Sequence, residues 1–158
     1  MKEREENFRQ LAENLTSAIT ITNDSNDRLY FNSKLPELTG YTSEELRNQK
    51  LLDIVQPSEQ GRVRDIRKKR IAHKPAPKHY ETSLLTKDGT IVPIEVTSTR
   101  TIWQDQPADI AVYYDLTERK MAEERENWKE KPRRQADWLL LVRWQQVFLT
   151  RLITPSQA

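Results

Sequence analysis

A chain of 158 residues with 32% charged side chains, a formal net charge of +2 and a mean hydropathy of -0.87 has room for one domain of ordinary size with an extra segment at each end. With no cysteine it can form no disulfide, no thiolate metal site, no cysteine nucleophile and no cysteine adduct of a flavin. The start Met1-Lys2-Glu3-Arg4-Glu5-Glu6 lacks the apolar run of a signal peptide, and no uncharged run approaches the ~18 residues of a membrane span, so a cytoplasmic location is expected.

In chain order, Phe8, Leu11, Ala12 and Leu15 recur at helical spacing behind an acidic start, which predicts an amphipathic lead-in helix over residues 1–16. Ala18 to Thr22 places Ile19 and Ile21 on one face, residues 23–28 are dense in turn formers, and Leu29 and Phe31 resume the alternation, so a first hairpin follows. Asn32-Ser33 stands where a cap is needed for a short helix carrying Leu35 and Leu38 and stopped by Gly40; Thr42 or Ser43 opens another turn. Leu51 to Val55 is a compact apolar plug closed by Pro57. Ser58 opens a helix to about Ala72 with Val63, Ile66 and Ile71 on its buried side, and Pro75 and Pro77 end it.

Tyr80 to Thr86 and Ile91 to Trp103 flank Lys87-Asp88-Gly89-Thr90, an Asp-Gly hairpin signal, and Val92, Ile94 and Val96 share a face. From Ala108 the larger apolar groups Ile110, Val112, Tyr114 and Leu116 recur at period two, with Asp109, Ala111, Tyr113 and Asp115 opposite. The alternation stops after Thr117. Asp115 or Thr117 can accept from the free amides of the next turn, and Glu118 stands at capping-box spacing from Asp115. A strand therefore passes directly into an exit helix over 118–131, and Asp115, Thr117, Glu118 and Arg119 form a junction through which a shift of the strand would reorient the helix. The series Thr117, Met121, Glu124 and Trp128 has weak heptad character, enough for a coiled-coil linker that registers a dimer but not one that holds it alone. Pro132 breaks this helix. The order of elements reads as α+β, one sheet with helices on one face.

Four stretches in succession, Tyr30-Phe31-Asn32, Leu38-Thr39-Gly40-Tyr41-Thr42-Ser43-Glu44-Glu45-Leu46, Lys87-Asp88-Gly89-Thr90 and Asp115-Leu116-Thr117-Glu118-Arg119-Lys120, resemble the PAS (Per-Arnt-Sim) domain of bacterial sensor histidine kinases and related signalling proteins, over roughly Phe8 to Arg125. The resemblance implies a PAS fold over 17–117: a five-stranded antiparallel sheet in spatial order 2-1-5-4-3, short helices around a small cavity on one face, and flanking helices. It further implies a homodimer through the lead-in helix or the outer sheet face, and an ion pair between Glu45 and Lys87 that clamps the helical side to the hairpin. The implied pocket is bounded by Leu38, Ile54, Ile66, Ile94, Val96 and Val112. The same positions describe a filled core, and with no charged anchor among them a guest would be small and apolar or aromatic. Arg47-Asn48-Gln49-Lys50 departs from the family, in which many members carry a glycine there.

A histidine kinase needs a phosphoacceptor histidine after the sensor and a glycine-rich nucleotide lid. Here the histidines are His73 and His79 and the glycines are Gly40, Gly61 and Gly89, so no kinase is expected within this chain, and no serine-histidine-acid set can be assembled. The expected class is non-enzymatic, with no metal site. His73 beside Lys74 and Pro75 and His79 at a strand start lack the apolar surroundings of a haem ligand, so haem is not expected and a cofactor of any kind is left open. Arg62 to Lys78 holds 8 basic residues and a single acidic one, Asp65. No aromatic residues interleave with these bases, so they read as a solvated face and not as a nucleic-acid surface.

The amphipathic tail over 132–158 carries Trp138, Leu139, Leu141, Val142, Val147, Phe148, Leu149, Leu152 and Ile153. Packing on a partner or in a dimer ranks first for it, the remnant of a linker to an absent output domain second, and membrane contact third. The function that follows is a sensory relay passing a ligand- or partner-induced change in the sheet to the C-terminal helix, with a kinase or other output domain as possible partner. The alternatives are an adaptor working through the 138–153 helix and a sensor that binds haem or another small ligand.

Overall fold

In the computed structural model, residues 2–130 and 142–147 are described. The chain divides into two compact units, 1–117 and 118–158. The first opens with helix α1 (Lys2–Glu13) and strands β1 (Ala18–Asn23) and β2 (Arg28–Phe31). Helices α2 (Lys34–Thr39) and α3 (Ser43–Asn48), two short 3-10 turns (Leu51–Ile54 and Pro57–Glu59) and the longer α4 (Gln60–Ile71) follow. Strands β3 (His79–Leu85), β4 (Ile91–Trp103) and β5 (Gln106–Asp115) complete a five-stranded antiparallel sheet in the order β2-β1-β5-β4-β3. Helix α5 (Thr117–Glu130) follows β5.

Local chemistry explains the boundaries. Gly40 ends α2 in the left-handed region at φ 78°, a conformation that costs a residue with a Cβ roughly 1–2 kcal/mol. Thr42 and Glu45 start α3 with a reciprocal capping box: the Thr42 hydroxyl accepts from the Glu45 amide at 3.1 Å and the Glu45 carboxylate accepts from the Thr42 amide at 3.0 Å. Gly89, at φ 89°, turns the β3–β4 hairpin. Asn32 does not cap α2. Its amide donates to the Ala12 and Ser17 carbonyls and its side-chain oxygen accepts from the Ile19 amide, so it ties the end of α1 to β1.

The short helices cover the inner face of the sheet, and α1 covers part of the outer face. Pairing puts Ala18 beside Tyr113, Tyr113 beside Val96 and Val96 beside Tyr80 on the inner face, where Leu35, Leu46, Ile54, Leu84 and Ile94 complete the core. Full burial of each such aliphatic chain is worth roughly 1.5–3 kcal/mol. Ile19, Ile21, Tyr30, Trp103 and Ala108 form a second cluster on the outer face, packed by Phe8 and Ala12 of α1. Phe8, Tyr30 and Trp103 meet edge-on or tilted with centroids 5.5–5.9 Å apart, and the Arg9 guanidinium lies over Tyr30 at 5.3 Å.

This two-sided burial corrects one expectation. The larger apolar residues of β5, Ile110 and Val112, face the α1 cluster, and it is Asp109, Ala111 and Tyr113 that face the short helices. On a strand covered on both sides, the bulkier stripe does not identify the inner one.

Candidate functional site

Two features of the first unit carry chemistry: the end of β5 and the polar end of the inner face. At the end of β5, Asp115 pairs with Ile94 as the last rung of the β4–β5 ladder. Leu116 is buried, and its amide donates to the Pro93 carbonyl at 2.9 Å. One Asp115 carboxylate oxygen then accepts from both the amide and the hydroxyl of Thr117, at 2.8 and 2.6 Å. The central strand thus meets the first helical residue with one buried, hydrogen-bonded residue between them. Glu118 and Arg119 are exposed, and Arg119 lies 3.6 Å from Glu123, a solvated i,i+4 pair of small energetic weight.

Lys87 Nζ donates to Glu45 at 2.9 Å, and the Lys87 amide donates to the Thr39 carbonyl, also at 2.9 Å. The Thr42 amide first, and the Lys87 ammonium second, hold the Glu45 carboxyl below its ordinary value.

The predicted pocket residues do not gather around one space. Leu38, Ile54, Ile94 and Val96 belong to the inner core, but only Ile94 and Val96 line its cavity. Ile66 is buried on α4 without reaching that cavity. Val112 packs on the opposite face of the sheet, for the reason given above.

The cavity measures about 20 Å³, and beside aliphatic side chains such as Leu51, Val63, Leu84 and Ile94 it is bordered by polar ones that the apolar pocket reading did not include: Arg67, Arg70, Tyr80, Ser98, Asp109 and Tyr113. Arg67 and Arg70 also correct the reading of the basic stretch as a solvated face, because they are 5% and 8% exposed. Arg67 spends its whole fork: Nε donates to Asn26 at 2.8 Å, one terminal nitrogen to Asp109 at 2.7 Å, and the other to the Asn23 carbonyl at 2.9 Å. Arg100 donates to the other Asp109 oxygen at 3.2 Å and to Asp24 at 2.7 Å. Arg62 is exposed but reaches across to the Glu81 carbonyl at 2.8 Å. The missed signal was the spacing: Val63, Arg67 and Arg70 continue one helical stripe, and Asp109 alternates in step with Ala111 and Tyr113.

Burial pushes the Tyr113 phenol up to about 12 and raises Tyr80, so both remain hydrogen-bond donors near neutral pH. A space of about 20 Å³ admits one water-sized body. His73 and His79 are exposed, with His79 Nδ1 3.0 Å from the Thr97 hydroxyl. Among the described residues, no group of three or more acids and histidines could hold a metal ion, and no helix is long and apolar enough to cross a membrane.

In the second unit, residues 142–147 are helical, and the Trp128 and Trp144 rings lie 5.4 Å apart. The other positions read as the tail's amphipathic helix, Trp138 to Leu141 and Phe148 to Ile153, lie outside the described residues.

A five-stranded sheet in this order, cupped by short helices and left through its central strand, defines an α+β domain of the sensory type. The PAS fold model matches residues 6–108, and the chain belongs to that family. It is 28% identical over 124 residues to the methyl sulfide methyltransferase-associated sensor of Methanosarcina acetivorans, across 78% of this chain and 12% of that protein. The chain therefore spans a small part of that relative's length. Among solved structures it resembles a PAS domain from Desulfitobacterium hafniense, with 28% identity, a TM-score of 0.62, and coverage of 68% of this chain and 99% of the other. At the level of fold alone it resembles a PAS domain from Colwellia psychrerythraea (17% identity, TM-score 0.62, 73% and 98% covered) and one from a two-component sensor histidine kinase (22%, 0.57, 73% and 99%).

Proposed function

We propose that this chain is a non-enzymatic PAS relay module that works as a homodimer. It passes a ligand- or partner-induced change in the sheet through Asp115-Leu116-Thr117 into α5, toward a kinase or other output domain. The observation that supports this reading most is the absence of slack at the junction. β5 is the middle strand of the sheet, and the one residue separating it from α5 is buried and bonded to β4 through its amide. A flexible loop would absorb a displacement of the strand; a bonded junction passes it on. The Methanosarcina relative, named as a sensor, supports the same direction.

Asp115→Ala tests it. Loss of hydrogen bonds of this kind costs roughly 1 kcal/mol, local to the start of α5. Circular dichroism should show the sheet intact, while hydrogen exchange at the start of α5 accelerates and the dimensions of the dimer in X-ray scattering change. If exchange and scattering both match the wild type, the junction is inert and the relay reading fails.

A further inference from the structure

The buried charge on the inner face does not balance. Arg28, Arg67 and Arg70 are 7%, 5% and 8% exposed, and Asp109, at 2%, is the one buried carboxylate among the described residues. A buried ion is costly unless a counter-charge or several dipoles face it. Arg28 has the dipoles, donating to the carbonyls of Leu46, Gln49 and Lys50. Arg67 has the carboxylate. Arg70 has less than either: one terminal nitrogen donates to the Pro77 carbonyl at 2.6 Å, and the other stops 3.9 Å from Asp109, beyond hydrogen-bond distance. Both Asp109 oxygens are already engaged, one by Arg67 and one by Arg100.

Arg70 borders the cavity of about 20 Å³, and so do Tyr113 and Ser98, which are 5% and 3% exposed. The Tyr113 and Ser98 hydroxyls have no hydrogen-bond partner among the described residues, and neither is among the side-chain atoms sealed from solvent without one. The space is thus bordered by two unengaged hydroxyls and by a guanidinium whose one carboxylate, Asp109, also on the cavity wall, is shared with Arg67 and Arg100. A water would satisfy the hydroxyls but would add no negative charge to the single carboxylate that the three guanidiniums share. We propose that the cavity is a binding site for one small monovalent anion of halide size, held by the Arg70 guanidinium and the Tyr113 and Ser98 hydroxyls. A space that admits a single water-sized body excludes larger polyatomic anions. This site does not depend on a relay through α5, and either reading can fail alone.

The test is thermal unfolding of the full chain in a series of sodium bromide concentrations, with sodium gluconate holding the ionic strength constant. A site specific to the folded state raises the midpoint with bromide along a one-site saturation curve. Tyr113→Phe deletes one donor from an otherwise unchanged ring and should raise the half-saturating bromide concentration on the order of tenfold, as loss of a hydrogen bond to a charged group does. Arg70→Gln should abolish the response. Because Arg70→Gln also removes a buried contact and could fail to fold, Tyr113→Phe is the deciding variant. Crystals grown in bromide should show an anomalous peak in the cavity beside Arg70. Equal midpoints in the two salts would overturn the proposal, and so would a bromide response unchanged by Tyr113→Phe. A peak without a saturable response would mean an adventitious ion only, which also overturns it.

Discussion

Asn32 is fully buried and makes three hydrogen bonds, to the Ala12 and Ser17 carbonyls at 2.8 and 2.9 Å and from the Ile19 amide at 3.0 Å. Asn32→Ala strips partners from a buried amide and two carbonyls without returning them to water, which should cost about 3 kcal/mol, read as a lower urea midpoint. In the sequence Asn32-Ser33 looked like a helix cap, because a short polar side chain before an apolar stripe is the usual cap signal. Its true partners lie 13–20 residues away, and no local pattern encodes them. Glu45 was more legible, since its partner across the fold came with a recognisable motif at Lys87. Its folded-state pKa lies below the ordinary 4.5, so its contribution to stability is present above about that pH and is lost as pH falls through the folded value. The stability difference between wild type and Glu45→Gln should therefore be measurable by urea unfolding at pH 7 and shrink steadily below pH ~4.5. A difference that stays constant down to pH ~2.5 would show that the carboxylate charge plays no part in the clamp.

At the scale of elements, α4 and β5 are joined by the buried Arg67–Asp109 pair at 2.7 Å, with Arg100 completing the carboxylate's partners. Asp109→Asn keeps the shape but leaves three guanidiniums facing a neutral amide. Breaking a buried pair from one side costs roughly 3–5 kcal/mol, so the variant should unfold at a much lower denaturant concentration, with α4 amides losing exchange protection before those of β4. The pair escaped the sequence reading for a physical reason. A run of eight bases suggests solvent, and only the 3.6-residue period from Val63 separates the two arginines that turn inward from Arg64, Lys68 and Lys69, which remain exposed. The faces of β5 were misassigned for a related reason: Ile110 and Val112 are the bulkier side chains, but α1 covers them, and the smaller, more polar stripe meets the helices. An amphipathic strand identifies its buried face cleanly only when the other face is wet, and here Ile110 and Val112 on the other face are half-buried.

Across the whole molecule, the order of the sheet, the left-handed stop at Gly40, the turn at Gly89 and the direct passage from β5 to α5 could all be read in advance. The order of the sheet came with the PAS resemblance; the others rest on local chemistry: alternation, caps, and residues that tolerate positive φ. What could not be read was the charge inside the domain, because long-range pairing decides which polar side chains share the cavity. The central claim concerns the link between the sheet and the exit helix. The most direct measurement is hydrogen exchange along α5 in wild type and in Val96→Ala, a change confined to the inner core beside Tyr113. The comparison is repeated with two glycines inserted between Leu116 and Thr117. If the bonded junction carries the disturbance, Val96→Ala alters exchange along α5 in the uninterrupted chain and leaves it unaltered in the chain with the insertion. An α5 that exchanges identically in wild type and Val96→Ala, or that responds equally with and without the insertion, would contradict the account.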